Sequence, residues 1–114
     1  MVRRIAHLRP STRDTKKWMV TIVHPDGRRK TVHFGERDYE DYTMHKDPER
    51  MRRYVARHDN GRESWTMRGV DTAGFWSRWL LWSKPSLTGA IRFMQSKFPL
   101  TIKRSNKGSN KETF

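Results

Sequence analysis

The chain has 114 residues, with 25 Lys and Arg against 12 Asp and Glu, a formal net charge of +13 and no cysteine. This length allows one domain with a modest core, and the missing cysteines exclude disulfides, thiolate metal sites and cysteine nucleophiles. Mean hydropathy is -1.03, close to the range of chains too polar to fold, but five Trp, five Phe and three Tyr argue for a small aromatic core inside a charged shell.

The charge exceeds the ~2–8 that keeps a small domain soluble. It points to a polyanionic or acidic partner: a phosphate backbone, an acidic protein or an anionic membrane surface. No apolar run approaches the roughly 18 residues of a membrane span. Met1–Arg9 is basic but lacks the apolar stretch of a secretory signal.

Residues 1–16 are basic and broken by Pro10, Ser11 and Thr12, which reads as an arm outside the core. In the β-rich run Trp18–Val23, Trp18, Val20 and Ile22 share one face by the period of two. His24-Pro25-Asp26-Gly27 then has the composition of a type I turn with Gly27 in the left-handed region. The chain returns over Arg28–Phe34, with Val32 and Phe34 on one face, so a β-hairpin is expected. The acidic and aromatic connection Glu36–Lys46 is expected to pair its carboxylates with nearby arginines. Glu40 and Asp41 are adjacent, so they do not face one another as a catalytic carboxylate pair would.

Asp47-Pro48-Glu49 signals a helix start: a side-chain cap, a proline at the first position and an acid in the first turn. The helix from Pro48 to about His58 puts Met51, Tyr54 and Val55 on one face and ends at Asp59-Asn60-Gly61. A second helix, capped by Asp71 or Thr72, is expected over Ala73–Trp82. Phe75, Trp79 and Trp82 would share one face and Trp76 and Leu80 the adjacent one. Ser86 caps a third helix in which Leu87, Ala90, Ile91, Met94 and Phe98 repeat with helical spacing. Pro99 stops it. Leu100–Ile102 reads as a short strand added to the hairpin, and Lys103–Phe114 as a basic tail.

No catalytic apparatus is expected. His7, His24, His33, His45 and His58 show no helical zinc spacing, although His45 and His58 bracket the basic helix and could meet. There is no phosphate-binding glycine loop, and Ser77 sits in an aromatic helix with no sequence cue for an activating base. The chain is therefore read as not an enzyme, with no cofactor and no metal. The basic clusters carry the functional expectation instead. Arg3, Arg4, Arg9, Arg13, Lys16 and Lys17 belong to an N-terminal arm; Arg28, Arg29 and Lys30 to the hairpin; Arg50, Arg52, Arg53 and Arg57 to a helix. Lys97, Lys103, Arg104, Lys107 and Lys111 belong to a C-terminal arm. All are candidate phosphate or partner contacts. No helix-turn-helix or finger spacing supports the reading of base sequence. Among the aromatics, Trp18, Phe75, Trp76, Trp79 and Trp82 are read as core or docking residues, with Trp82 and Leu81 the pair left for a partner.

One resemblance follows from particular strings. His33-Phe34-Gly35, Asp41-Tyr42-Thr43, His45-Lys46-Asp47 with Arg50, Tyr54, Arg57-His58, and Thr72-Ala73-Gly74-Phe75-Trp76-Ser77-Arg78-Trp79-Leu80-Leu81-Trp82 with Lys84-Pro85 are the residues that carry it. Together they resemble a group of small basic proteins encoded by large double-stranded DNA viruses of eukaryotes. The likeness spans roughly residues 17–98. It implies a virion component made in the infected host cell: a minor capsid protein beneath the capsid lattice, or a nucleoid protein.

The expectation is thus an α+β fold. A hairpin with a third strand packs against three short helices in residues 17–102, flanked by flexible basic arms at 1–16 and 103–114. The expected role is a minor capsid component whose arms cement neighbouring subunits, its partners being other capsid proteins. The alternative is a nucleoid protein binding DNA through phosphates without reading sequence.

Overall fold

The computed structural model describes residues 3–61 and 63–105. Lys107 and Lys111 lie outside the described residues. The fold is α+β: a four-stranded mixed sheet in the order β3-β2-β1-β4, with short helices packed on one face.

The hairpin forms as its composition requires. β2 (Lys16–Val23) and β3 (Arg29–Glu36) pair antiparallel, with Trp18 opposite Phe34 and Val20 opposite Val32. The turn closes with Gly27 N–H donating to His24 O at 2.9 Å, and Gly27 takes φ +91. Val20, Ile22, Val32 and Phe34 are buried, and Trp18 flanks them.

The N-terminal segment departs from expectation. Arg4–Pro10 is not an arm but β1, an inner strand, antiparallel to β2 and parallel to β4 (Leu100–Arg104). Ala6 and Leu8 alternate into the core and are essentially fully buried. Two apolar side chains on one face suffice, because the outward positions of a sheet with one open face can be charged. β4 correspondingly joins β1 rather than the hairpin, and it reaches Arg104. The sheet therefore runs from residue 4 to residue 104, beyond both expected domain limits.

A short helix α1 (Tyr42–His45), capped by Asp41, precedes α2 (Pro48–His58). Asp47 accepts from Glu49 N–H, as the cap composition requires. α3 (Ala73–Trp76), capped by Thr72, continues into one π-helical turn, Ser77–Leu81, rather than an unbroken α-helix. The buried residues explain the widening. Phe75, Trp76, Leu80 and Leu81 are all in the core, and positions five apart point roughly 140° apart at 3.6 residues per turn. An i→i+5 turn brings the pairs 75/80 and 76/81 back towards one face. Leu81, expected to be available to a partner, is thereby only 2% exposed. Trp82 is half-buried and stacks on Tyr54 with the rings 4.3 Å apart and parallel within 1°. Neither residue is left as a docking pair.

α4 (Leu87–Lys97) is capped by Ser86 and buries Ala90 and Met94. Between helices and sheet lies an aromatic cluster: Phe34 on Trp76, Phe75 on Trp76 and Phe98, Trp79 on Phe93 and Phe98. The buried indole N–H of Trp76 donates to Val70 O at 2.8 Å, so the ring adds apolar area without stranding a donor. Among the described residues no helix is long and apolar enough to cross a membrane.

Candidate nucleic-acid interface

The helices cover one face of the sheet, and strand alternation sends the other set of side chains to the open face. Pairing register arranges them in three rows. Lys103, His7, Thr21 and Thr31 form the middle row, from β4 across to β3. Thr101, Ile5, Val23 and Arg29 form one flanking row; Arg9, Met19 and His33 form the other. None of these positions is a carboxylate. Within the rows, among the described residues, the one side-chain hydrogen bond joins Thr21 and Thr31, at 2.9 Å.

The cations here are uncommitted. Arg9, Arg29 and Lys103 have no ion-pair partner among the described residues, and neither does Arg13 in the turn between β1 and β2. His7 is held below its ordinary pKa, first by partial burial and then by Lys103, Arg29 and Arg9. His33 is lowered by partial burial and then by Arg13 and Arg9. Both shifts place these imidazoles in a positive field. Ser11 Oγ lies 2.8 Å from His33 Nδ1 and accepts from Arg13 N–H at 2.9 Å, tying the β1–β2 turn to this face.

Most other cations expected as contacts have a partner of their own within the chain, several of them at the surface. Arg3 donates to Thr101 Oγ1 and to the carbonyls of Gln95 and Leu100. Arg4 Nε donates to buried His24, whose other ring nitrogen lies 3.0 Å from Asp71 Oδ1. Lys16 pairs with Glu36, Lys17 with buried Asp41, Arg28 with Asp26 and Arg50 with Glu40. Arg104 lies over the Trp18 ring on the helix side. Lys30 is exposed at a position whose neighbours on β3, Val32 and Phe34, point to the core, so it does not join the open face.

A second surface is a groove of about 880 Å³ between α2 and the end of the hairpin. Arg50, Arg53 and Arg57 line it, together with Tyr54, His58 and Ser77. Three of its carboxylates, Glu36, Glu40 and Asp41, pair with Lys or Arg, Glu63 lies 2.9 Å from the His58 ring, and Asp38 has no ion-pair partner among the described residues. Glu40 and Asp41 are held by different partners, as their adjacency required. His45 and His58 do not touch; Trp82 and Tyr54 lie between them in a ring column that Tyr42 continues beyond His45. Among the described residues no three His, Asp or Glu are placed to hold a metal ion.

The open face was hidden in the sequence. His7 and His33 carried no motif, and Arg9 and Lys103 were assigned to opposite arms. The usable signal was the alternation Ile5/His7/Arg9 against Ala6/Leu8, which a strand reading of residues 4–10 turns into one basic face.

Residues 6–58 are similar to a family of unknown function, DUF5754. The match covers under half of the chain: β1, the hairpin, α1 and α2, but not the tryptophan-rich segment. No curated protein and no solved structure matches the chain.

Proposed function

We propose that the protein binds nucleic acid through the phosphate backbone, without reading sequence, and does so on the open face of its sheet. The observation that supports this reading is the set Arg9, Arg13, Arg29 and Lys103. These cations lie on or beside a carboxylate-free face and have no ion-pair partner among the described residues. Long flexible cations suit phosphate contacts, which fix position but carry no sequence information. The Thr side chains add hydrogen-bond donors suited to phosphate oxygens. The viral resemblance fits a nucleoid role for such a protein, made in the infected cell and packaged in the virion.

The test is a salt titration of duplex DNA binding. About four phosphate contacts give a slope of roughly -3 to -4 for log K against log salt concentration, at ~0.9 per contact. Replacing Arg9, Arg29 and Lys103 together by Gln should flatten the slope by two to three. Absence of binding at low salt removes the proposal.

A second reading is a minor capsid component that docks on neighbouring subunits. It draws on the same resemblance and on Tyr39 and Met44, which are 71% and 53% exposed on the segment between β3 and α2. Tyrosine is a common anchor of protein interfaces. Threading by an N-terminal arm drops out of this reading, because residues 4–10 are an inner strand. Finding the protein in purified particles after nuclease treatment and removal of the genome would favour this reading; release together with the DNA would favour the first.

A further inference from the structure

We propose that His7 and His33 are themselves phosphate ligands of the open face, and that they take up protons when nucleic acid binds. The inference rests on the binding surface proposed above and adds the chemistry of two residues to it.

Both imidazoles point to the open face from different strands. His7 is in the middle row beside Lys103 on β4 and Thr21 on β2. His33 is in the adjacent row, one strand beyond Met19, with Arg9 at the other end of that row. The charged groups that reach His7 are Lys103 from β4, Arg29 from β3 and Arg9 from its own strand. Those that reach His33 are Arg13 from the β1–β2 turn and Arg9 from β1. Every one is a cation. In the free protein this favours the neutral imidazole, since a second positive charge is repelled and partial burial also disfavours it.

A bound phosphate reverses that balance. A diester anion beside Arg9 or Lys103 cancels the field that suppresses protonation, and it accepts a hydrogen bond from the imidazolium. His7 and His33 are two strands and two residues apart, roughly 12 Å by strand spacing and rise. That span covers about three to four nucleotide steps at ~3.4 Å each, so both rings can serve one tract of backbone. No covalent step is involved. A proton passes from buffer to imidazole as the anion arrives, and it returns on release. By linkage, affinity rises as pH falls through the window in which the free imidazoles are neutral and the bound ones charged. The other histidines do not share this face. His24 is buried between Arg4 and Asp71, while His45 and His58 belong to the ring column on the groove side.

The experiment measures the affinity of the full chain for a 20-base-pair duplex from pH 8 to pH 5.5 at fixed ionic strength. The expected result is a tightening of tenfold or more, with net proton uptake by calorimetry in two buffers of different ionisation enthalpy. The double variant His7→Gln/His33→Gln should bind at least tenfold more weakly than the wild type at pH 5.5 and lose the pH dependence. In the wild type, the ring-proton titrations of His7 and His33 should move to higher pH when duplex is added, a readout that needs no variant to fold. Binding that is flat with pH, or a double variant that keeps the dependence, overturns this inference and leaves the binding surface standing. Failure to bind at any pH overturns both.

Discussion

At the scale of single residues, the glycines show where backbone and packing demands coincide. Gly35 sits at φ +80, and a Cβ there would lie 2.9 Å from Leu81 Cδ1. Gly27 has φ +91 but open space around it. Gly27→Ala should therefore cost only the left-handed backbone term, about 1–2 kcal/mol. Gly35→Ala should cost that and a displaced Leu81 as well, and urea unfolding should rank it clearly the worse. Tyr54 gives a second residue-level test. Burial, with the Glu63 carboxylate adding to it, pushes its phenol up to about 12. The folded state thus favours the neutral ring. That stabilisation is complete below the ordinary tyrosine value of ~10 and is lost as pH rises from 10 towards 12, at ~1.4 kcal/mol per decade or less. Thermal melts should show this alkaline decline in the wild type, and Tyr54→Phe should reduce it.

At the scale of elements, the decisive piece is β1. As an arm it would be dispensable; as an inner strand between β2 and β4 it carries Ala6 and Leu8 into the core. Deleting residues 1–10 should abolish cooperative unfolding by circular dichroism, whereas a folded truncated protein would restore the arm. The elements with strong local signals were legible in the chain. The hairpin followed from Pro25-Asp26-Gly27 between alternating strands, α2 from Asp47-Pro48, and α4 from its spacing after Ser86. β1 was not, because Arg4, His7 and Arg9 dilute its apolar content and Pro10 suggests a break. Its strand character comes from pairing on both sides, with β2 across the short turn at 11–15 and with β4 almost a whole chain away, and that long-range pairing also sets β4 beside β1 rather than the hairpin. The π turn was also beyond periodicity. Trp79 and Trp82 suggested a continuous α-helical face, while burying both Leu80 and Leu81 below Phe75 and Trp76 required an extra residue in the turn.

At the scale of the whole molecule, charge is sorted by face. Around the groove and the sheet ends several cations meet carboxylates, Lys16 with Glu36, Lys17 with Asp41 and Arg50 with Glu40, while Arg53 and Arg57 have no ion-pair partner among the described residues. On the open face Arg9, Arg13, Arg29 and Lys103 surround two histidines and have no ion-pair partner among the described residues. Composition alone shows a large excess of positive charge but not which of the basic residues are left without a partner in the fold. The fold gives Arg4 and Lys17 part-buried polar partners, and gives Arg3 and Arg104 contacts that leave both side chains exposed. The strongest competitor for the anion is α2, where Arg53 and Arg57 line the groove. Backbone and side-chain chemical shifts of the full chain, followed during titration with a short duplex, separate the two surfaces. The account predicts that the shifts concentrate on His7, Arg9, Thr21, Arg29, Thr31, His33 and Lys103. Shifts confined to Arg50–His58 and the groove, with the sheet face silent, would contradict it.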